Sequence, residues 1–101
     1  MMFQYTRKDN ALYVAIIGAV DDHNTPAFKD HLQSLMDQPF QEVIFDFSQM
    51  QLICSSGIGR LLLFYRKVMS GGRRMRVKGM TDYIHNLFQF TNLDLLFPIE
   101  K

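Results

Sequence analysis

The chain has 101 residues, 48% of them hydrophobic, with nine Phe, four Tyr, seven Met, no Trp and a net charge of +1. That length suits one core built without disulfides or metals, and so small a net charge argues against a dedicated nucleic-acid binder, which needs a marked basic excess. Cys54 is the only cysteine, Met1 to Lys8 lack the apolar segment of a signal peptide, and no apolar run approaches the ~20 residues of a membrane span, so the expectation is one cytoplasmic domain over residues 1–101 with no membrane insertion.

Residues 3–8 alternate weakly through Phe3, Tyr5 and Arg7, which predicts a short first strand, and Asp9-Asn10 marks a turn. Leu12 to Val20 is rich in β-formers and predicts a buried strand, with Gly18 placing a bulge or a close backbone approach near its end. Thr25 before Pro26 is expected to start a helix, the hydroxyl as N-cap and the proline at the first helical position. Phe28, Leu32, Leu35 and Met36 follow at helical spacing, and Pro39 closes the segment. Val43 to Phe47 is nearly continuous in apolar residues, the mark of a central strand or one covered on both faces.

After a short loop, Ser55-Ser56-Gly57 opens a second helix. Its core face is read as Ile58, Leu61, Leu62, Tyr65, Val68 and Met69, with Phe64 on the flank and Leu63 opposite, among Gly59, Arg60, Arg66 and Lys67. Gly71-Gly72 ends it. Met75 and Val77 alternate with Arg74, Arg76 and Lys78, so the basic cluster from Arg73 to Lys78 reads as the charged face of an edge strand rather than a nucleic-acid site. Thr81-Asp82 caps a third helix carrying Ile84, Leu87 and Phe88, and Leu95 to Ile99 is expected to be a last short strand, an edge because of Pro98. The order β-β-α-β-α-β-α-β predicts an α/β fold, a mixed sheet of about four to five strands with helices packed on it.

The stretch from Ile53 to Gly59 carries the chemistry. A helix start exposes unpaired N–H groups and a partial positive charge. A hydroxyl there either caps the helix or accepts a phosphate that those N–H groups stabilise. Gly57 and Gly59 remove side-chain bulk and are expected to let a partner or nucleotide approach. The Gly-x-x-x-x-Gly-Lys-Ser/Thr pattern of a nucleotide loop is absent. His23, His31 and His85 are too widely spaced for a metal site, and Asp21-Asp22-His23 has no nucleophile beside it in sequence, so neither an enzyme nor a cofactor is expected. Asp46, if buried, needs a partner from solvent or the neighbouring loop.

The strand Val43–Phe47, a loop, and Cys54-Ser55-Ser56-Gly57-Ile58-Gly59 ahead of an apolar helix resemble the signature Asp-Ser-Ser/Thr-Gly-Leu-Gly of STAS domains, the anti-sigma-factor antagonist family. Gly18-Ala19-Val20-Asp21 resembles that family's Gly-Glu-Leu-Asp, and Asn92 to Ile99 its closing Gly-Leu-x-x-Leu-Phe-x-Ile. The resemblance implies a STAS-like domain that switches partners without being an enzyme. In that family the unphosphorylated domain binds a kinase-type anti-sigma factor, phosphorylation of the first serine after the Asp blocks binding, and a phosphatase restores it. By motif position that serine is Ser55, with Ser56 the alternative. Asp21, Cys54, Ser56, Gly57, Ile58, Gly59, Arg60 and Leu63 are the implied partner surface. Cys54 departs from the pattern, since the family has Asp there; a buried small residue and an oxidant-sensing thiol are its two other readings. Two further functions stay open: a constitutive subunit of an assembly such as a lipid-transport ATPase complex, and a small-ligand or nucleotide sensor.

Overall fold

The structure is a computed structural model that describes residues 1–95, 99 and 100. Strands β1 (Met2–Lys8) and β2 (Ala11–Val20) form an antiparallel hairpin, turned at Asp9-Asn10 with Asp9 at φ 56°. Then come helix α1 (Thr25–Met36), strands β3 (Glu42–Asp46) and β4 (Met50–Ile53), helix α2 (Ser55–Ser70), strand β5 (Arg74–Lys78), helix α3 (Asp82–Phe90), a 3-10 turn at Leu93–Leu95 and strand β6 (Ile99–Glu100). The sheet runs β1-β2-β3-β5-β6, with β4 attached to β2 off that path. Every pairing except β1–β2 is parallel, as crossover helices require.

One strand serves two parallel neighbours in line. Ala11–Ala15 of β2 pair with β3, whereas Gly18–Val20 pair with β4 after a register break between Gly18 and Ala19. Gly18 sits at φ +97°, a conformation L side chains rarely adopt, so the expected bulge is present and needs its glycine. β4 itself falls in what the sequence presented as a loop. Only Met50 and Ile53 of its four residues are buried, too short a run to show a period.

Leu12, Val14 and Ile16 of β2 alternate with half-buried neighbours, so one face of the sheet carries the helices. Phe28, Leu32 and Leu35 of α1, Leu61, Phe64 and Val68 of α2, and Ile84 and Phe88 of α3 complete the core. Phe45 meets Phe64 edge-on with centroids 5.7 Å apart, and Phe47 meets Phe88 at 6.4 Å, so aromatic pairs tie α2 and α3 to the end of β3. Each such pair adds about 0.5–1.5 kcal/mol beyond its area. The opposite face is held by Glu42, whose carboxylate lies 3.2 Å from Arg76 Nε and accepts a 3.2 Å bond from Nη2. Ile44, level with Tyr13 and Arg76 on that face, is nevertheless 2% exposed.

Four expectations are corrected here. Phe64 is buried and Met69 is 46% exposed, because α2 packs through Gly57, Leu61, Phe64 and Val68 rather than along the stripe that ends at Met69. Asn24, not Thr25, is the N-cap of α1, so Pro26 occupies the second helical position. β5 lies between β3 and β6 and is not an edge strand, although β6 reaches only Val77 and Lys78. Leu95 belongs to the 3-10 turn, and Pro98 lies outside the described residues. Asp46 finds its partner in the loop, accepting the Ser48 amide at 2.9 Å.

Candidate functional site

The carboxyl ends of β2 and β4 lie side by side, Val20 paired with Ile53, and the Cys54 amide donates to the Val20 carbonyl at 2.9 Å. Each strand leads straight into a helix, so two helix starts are delivered to one place. Before α1, residues 21–24 form a closed turn. Asp21 Oδ1 accepts the amides of His23 at 2.9 Å and Asn24 at 3.1 Å. Asn24 Oδ1 accepts the Asp21 amide at 2.9 Å, and its side-chain amide donates to the Ala19 carbonyl at 2.9 Å. Asx side chains favour such turns because they bond backbone two or three residues away.

Thr25 bridges the two helix starts. Its hydroxyl lies 2.7 Å from the Asp21 carbonyl and 3.5 Å from Cys54 Sγ. Cys54, extended at φ −78° and ψ 167°, is the N-cap of α2, and its sulfur accepts the Gly57 amide at 3.4 Å. A continuous polar chain therefore runs from the Asp21 carbonyl through Thr25 and Cys54 to Gly57. The half-buried thiol is occupied as a cap, doing weakly with sulfur what a carboxylate does strongly. The bridging role of Thr25 was missed at the level of sequence, where the same hydroxyl reads as a cap. Asn24 is as good a capping residue and stands directly before it.

Ser55 and Ser56, the first two residues of α2, are exposed. Among the described residues neither hydroxyl makes a hydrogen bond, and their amides have no acceptor within the helix. No acidic residue stands in the first turn to offset the positive end of the helix dipole. Gly57 departs from expectation: it is buried and faces inward. A Cβ there would lie 2.8 Å from Val20 Cγ1 and 3.0 Å from Ile53 Cγ1, so glycine lets α2 start hard against the strand pair and opens nothing to a visitor. Gly59 is exposed with nothing within 4 Å of the equivalent point, as the open reading requires. Ile58 and Arg60 are half-buried and Leu63 is 47% exposed. Residues three or four apart are neighbours on a helix, so Ser56, Arg60, Leu63 and Lys67 form one strip down α2.

Of the histidines, His23 lies in the Asp21 turn, whereas His31 stacks on Phe3 with centroids 4.4 Å apart and its Nδ1 lies 3.4 Å from the Tyr5 hydroxyl. Among the described residues no three His, Cys, Asp or Glu side chains could hold a metal ion, and no helix is long and apolar enough to cross a membrane.

The site is thus framed by a mixed sheet whose paired strand ends launch two helices, the second beginning on a free serine pair. The chain belongs to the STAS domain family, whose model matches residues 2–101. Solved structures repeat the fold. An anti-sigma factor antagonist from Mycobacterium paratuberculosis superposes with a TM-score of 0.86 at 21% identity, over 98% of this chain and 84% of that one. The anti-sigma factor antagonist SpoIIAA in its unphosphorylated form gives 0.72 at 18% identity, over 99% and 87%. The phosphorylated form of SpoIIAA, a Bacillus cell fate determinant, gives 0.72 at 18%, over 99% and 92%.

Proposed function

We propose that the protein is a phosphorylation-controlled partner switch: it binds a serine kinase of the anti-sigma type while Ser55 is unmodified, releases it when Ser55 carries phosphate, and is reset by a phosphatase. The observation that carries this reading is the free Ser55 hydroxyl at the uncompensated positive end of α2. Ser56 is also exposed and is the alternative acceptor. The similar protein SpoIIAA has been solved both unphosphorylated and phosphorylated, which supports a chemistry of this kind on this fold. Asp21, Cys54, Ser56, Ile58, Gly59, Arg60 and Leu63 make up the docking surface with the serine, and Gly57 sets its backing. The protein works in the cytoplasm as a regulator, not an enzyme, with no nucleic acid bound.

A phosphate adds roughly −1.5 to −2 charges. Set in the middle of a docked surface it must be desolvated without a partner, a cost of about 2–4 kcal/mol, or roughly 30- to 1000-fold in affinity. Pull-down with Ser55→Asp is expected to lose the partner and with Ser55→Ala to retain it, and phosphopeptide mapping of the captured protein assigns the site. Equal capture by both variants and the parent rejects the switch. A second reading, a constitutive assembly subunit, draws support from Cys54, whose sulfur replaces the family carboxylate beside the serine. Stable co-purification with a transporter ATPase, unmodified at Ser55, would favour it.

A further inference from the structure

Below the serine pair, α1 and α2 lie against each other with a shallow groove between them, outside everything assigned above except Arg60 and Leu63. Its floor is apolar: Leu32 is 3% exposed, Met36 is half-buried, and Leu63 forms one wall. Its rim is cationic: Lys29 from α1, and Arg60 and Lys67 from α2. No carboxylate lines it, and none of these three cations has an ion pair among the described residues. Arg60 and Lys67 are two helical turns apart, about 10 Å along the axis.

We infer that this groove holds an acidic amphipathic segment of a partner protein, its apolar side chains over Leu32 and Met36 and its carboxylates on Lys29, Arg60 and Lys67. The charge is complementary on both sides, and like-charged intruders are refused by the same three cations. A helix laid in such a groove presents anchors at one-turn spacing, which matches the spacing of the floor and rim along α2. A bilayer fits less well. Insertion needs apolar side chains that protrude, and here they are recessed, with Leu63 alone projecting at 47% exposure. The inference deepens the partner-switch reading by naming the chemistry of the partner's second contact, and it rests on that reading for the partner being a protein.

The test uses the full chain, isotope-labelled, and two synthetic peptides of about 14 residues, four helical turns, with the same Leu positions and either Glu or Lys between them. The Glu peptide is expected to shift the amides of Leu32, Met36, Leu63 and Lys67, more weakly as salt is raised, and the Lys peptide to leave them in place. Lys29→Glu and Lys67→Glu are each expected to weaken the Glu peptide about three- to tenfold. No shift, equal shifts from both peptides, or indifference to charge reversal overturns the inference. So does binding to phosphatidylcholine vesicles carrying phosphatidylglycerol when the Glu peptide does nothing. Groove binding with a partner that ignores Ser55→Asp refutes the switch alone; a Ser55-sensitive partner with an inert groove refutes this inference alone.

Discussion

Gly57→Ala and Gly59→Ala, two residues apart on one helix, are expected to move stability in opposite directions. An alanine in a helix normally gains about 0.5–1 kcal/mol over glycine by lowering the entropy lost on folding. At Gly59 nothing lies within 4 Å of the new methyl, so the gain is kept. At Gly57 the methyl meets Val20 Cγ1 at 2.8 Å and Ile53 Cγ1 at 3.0 Å, against about 3.5–4.0 Å for ordinary carbon contact, so something must retreat by at least ~0.7 Å. Those neighbours cannot swing aside cheaply. Both are branched, Val20 is 0% and Ile53 2% exposed, and they are paired to each other in the β2–β4 ladder. Overpacking of this kind costs about 1–3 kcal/mol, which against the alanine gain leaves a net loss of roughly 0–2.5 kcal/mol for Gly57→Ala, centred near 1 kcal/mol. For a chain of this size each kcal/mol is about 4–8 °C in melting temperature. Thermal melts followed by circular dichroism should show Gly59→Ala a few degrees above the parent and Gly57→Ala several to fifteen or so degrees below it. If Gly57→Ala melts at or above the parent, α2 does not start against the strand pair as described.

Cys54→Asp replaces a weak sulfur acceptor with a carboxylate at a helix N-terminus and should raise stability by about 0.5–1 kcal/mol, whereas Cys54→Ala should lower it by a similar amount; urea melts of both decide whether the sulfur caps α2. Partial desolvation pushes the Tyr5 phenol above its ordinary 10.0, although the residue is 49% exposed. A group raised in the folded state lends stability below its unfolded value and loses it as the pH climbs through the folded one. Ultraviolet titration should therefore place the Tyr5 phenolate above the free value, and Tyr5→Phe should remove part of the alkaline loss of stability.

Much of the architecture was legible because its signals are periodic and local. β2 alternates, β3 is continuously apolar, and Thr81 and Gly71 punctuate α3 and α2 as residues of their type do. β4 was illegible because four residues with two buried ends carry no period, and its place beside β2 depends on a register break that only the fold displays. At the site, the serine pair was visible as a helix start. The inward aim of Gly57 was not, since a glycine reports freedom for its backbone and nothing about which neighbour fills the space beside it. Nor was the Thr25–Cys54 contact, which joins residues 29 apart in sequence and has no pattern along the chain.

The pairing of Val20 with Ile53 has a consequence for how such surfaces diverge. The interval between the Asp21 turn and the Ser55 helix is set by main-chain bonding between two strand tips, whatever side chains happen to stand on either. Residues at the rim can therefore be exchanged while the two anchorage points keep their separation. A lineage built this way can acquire new correspondents by altering its lettering and leaving the frame untouched.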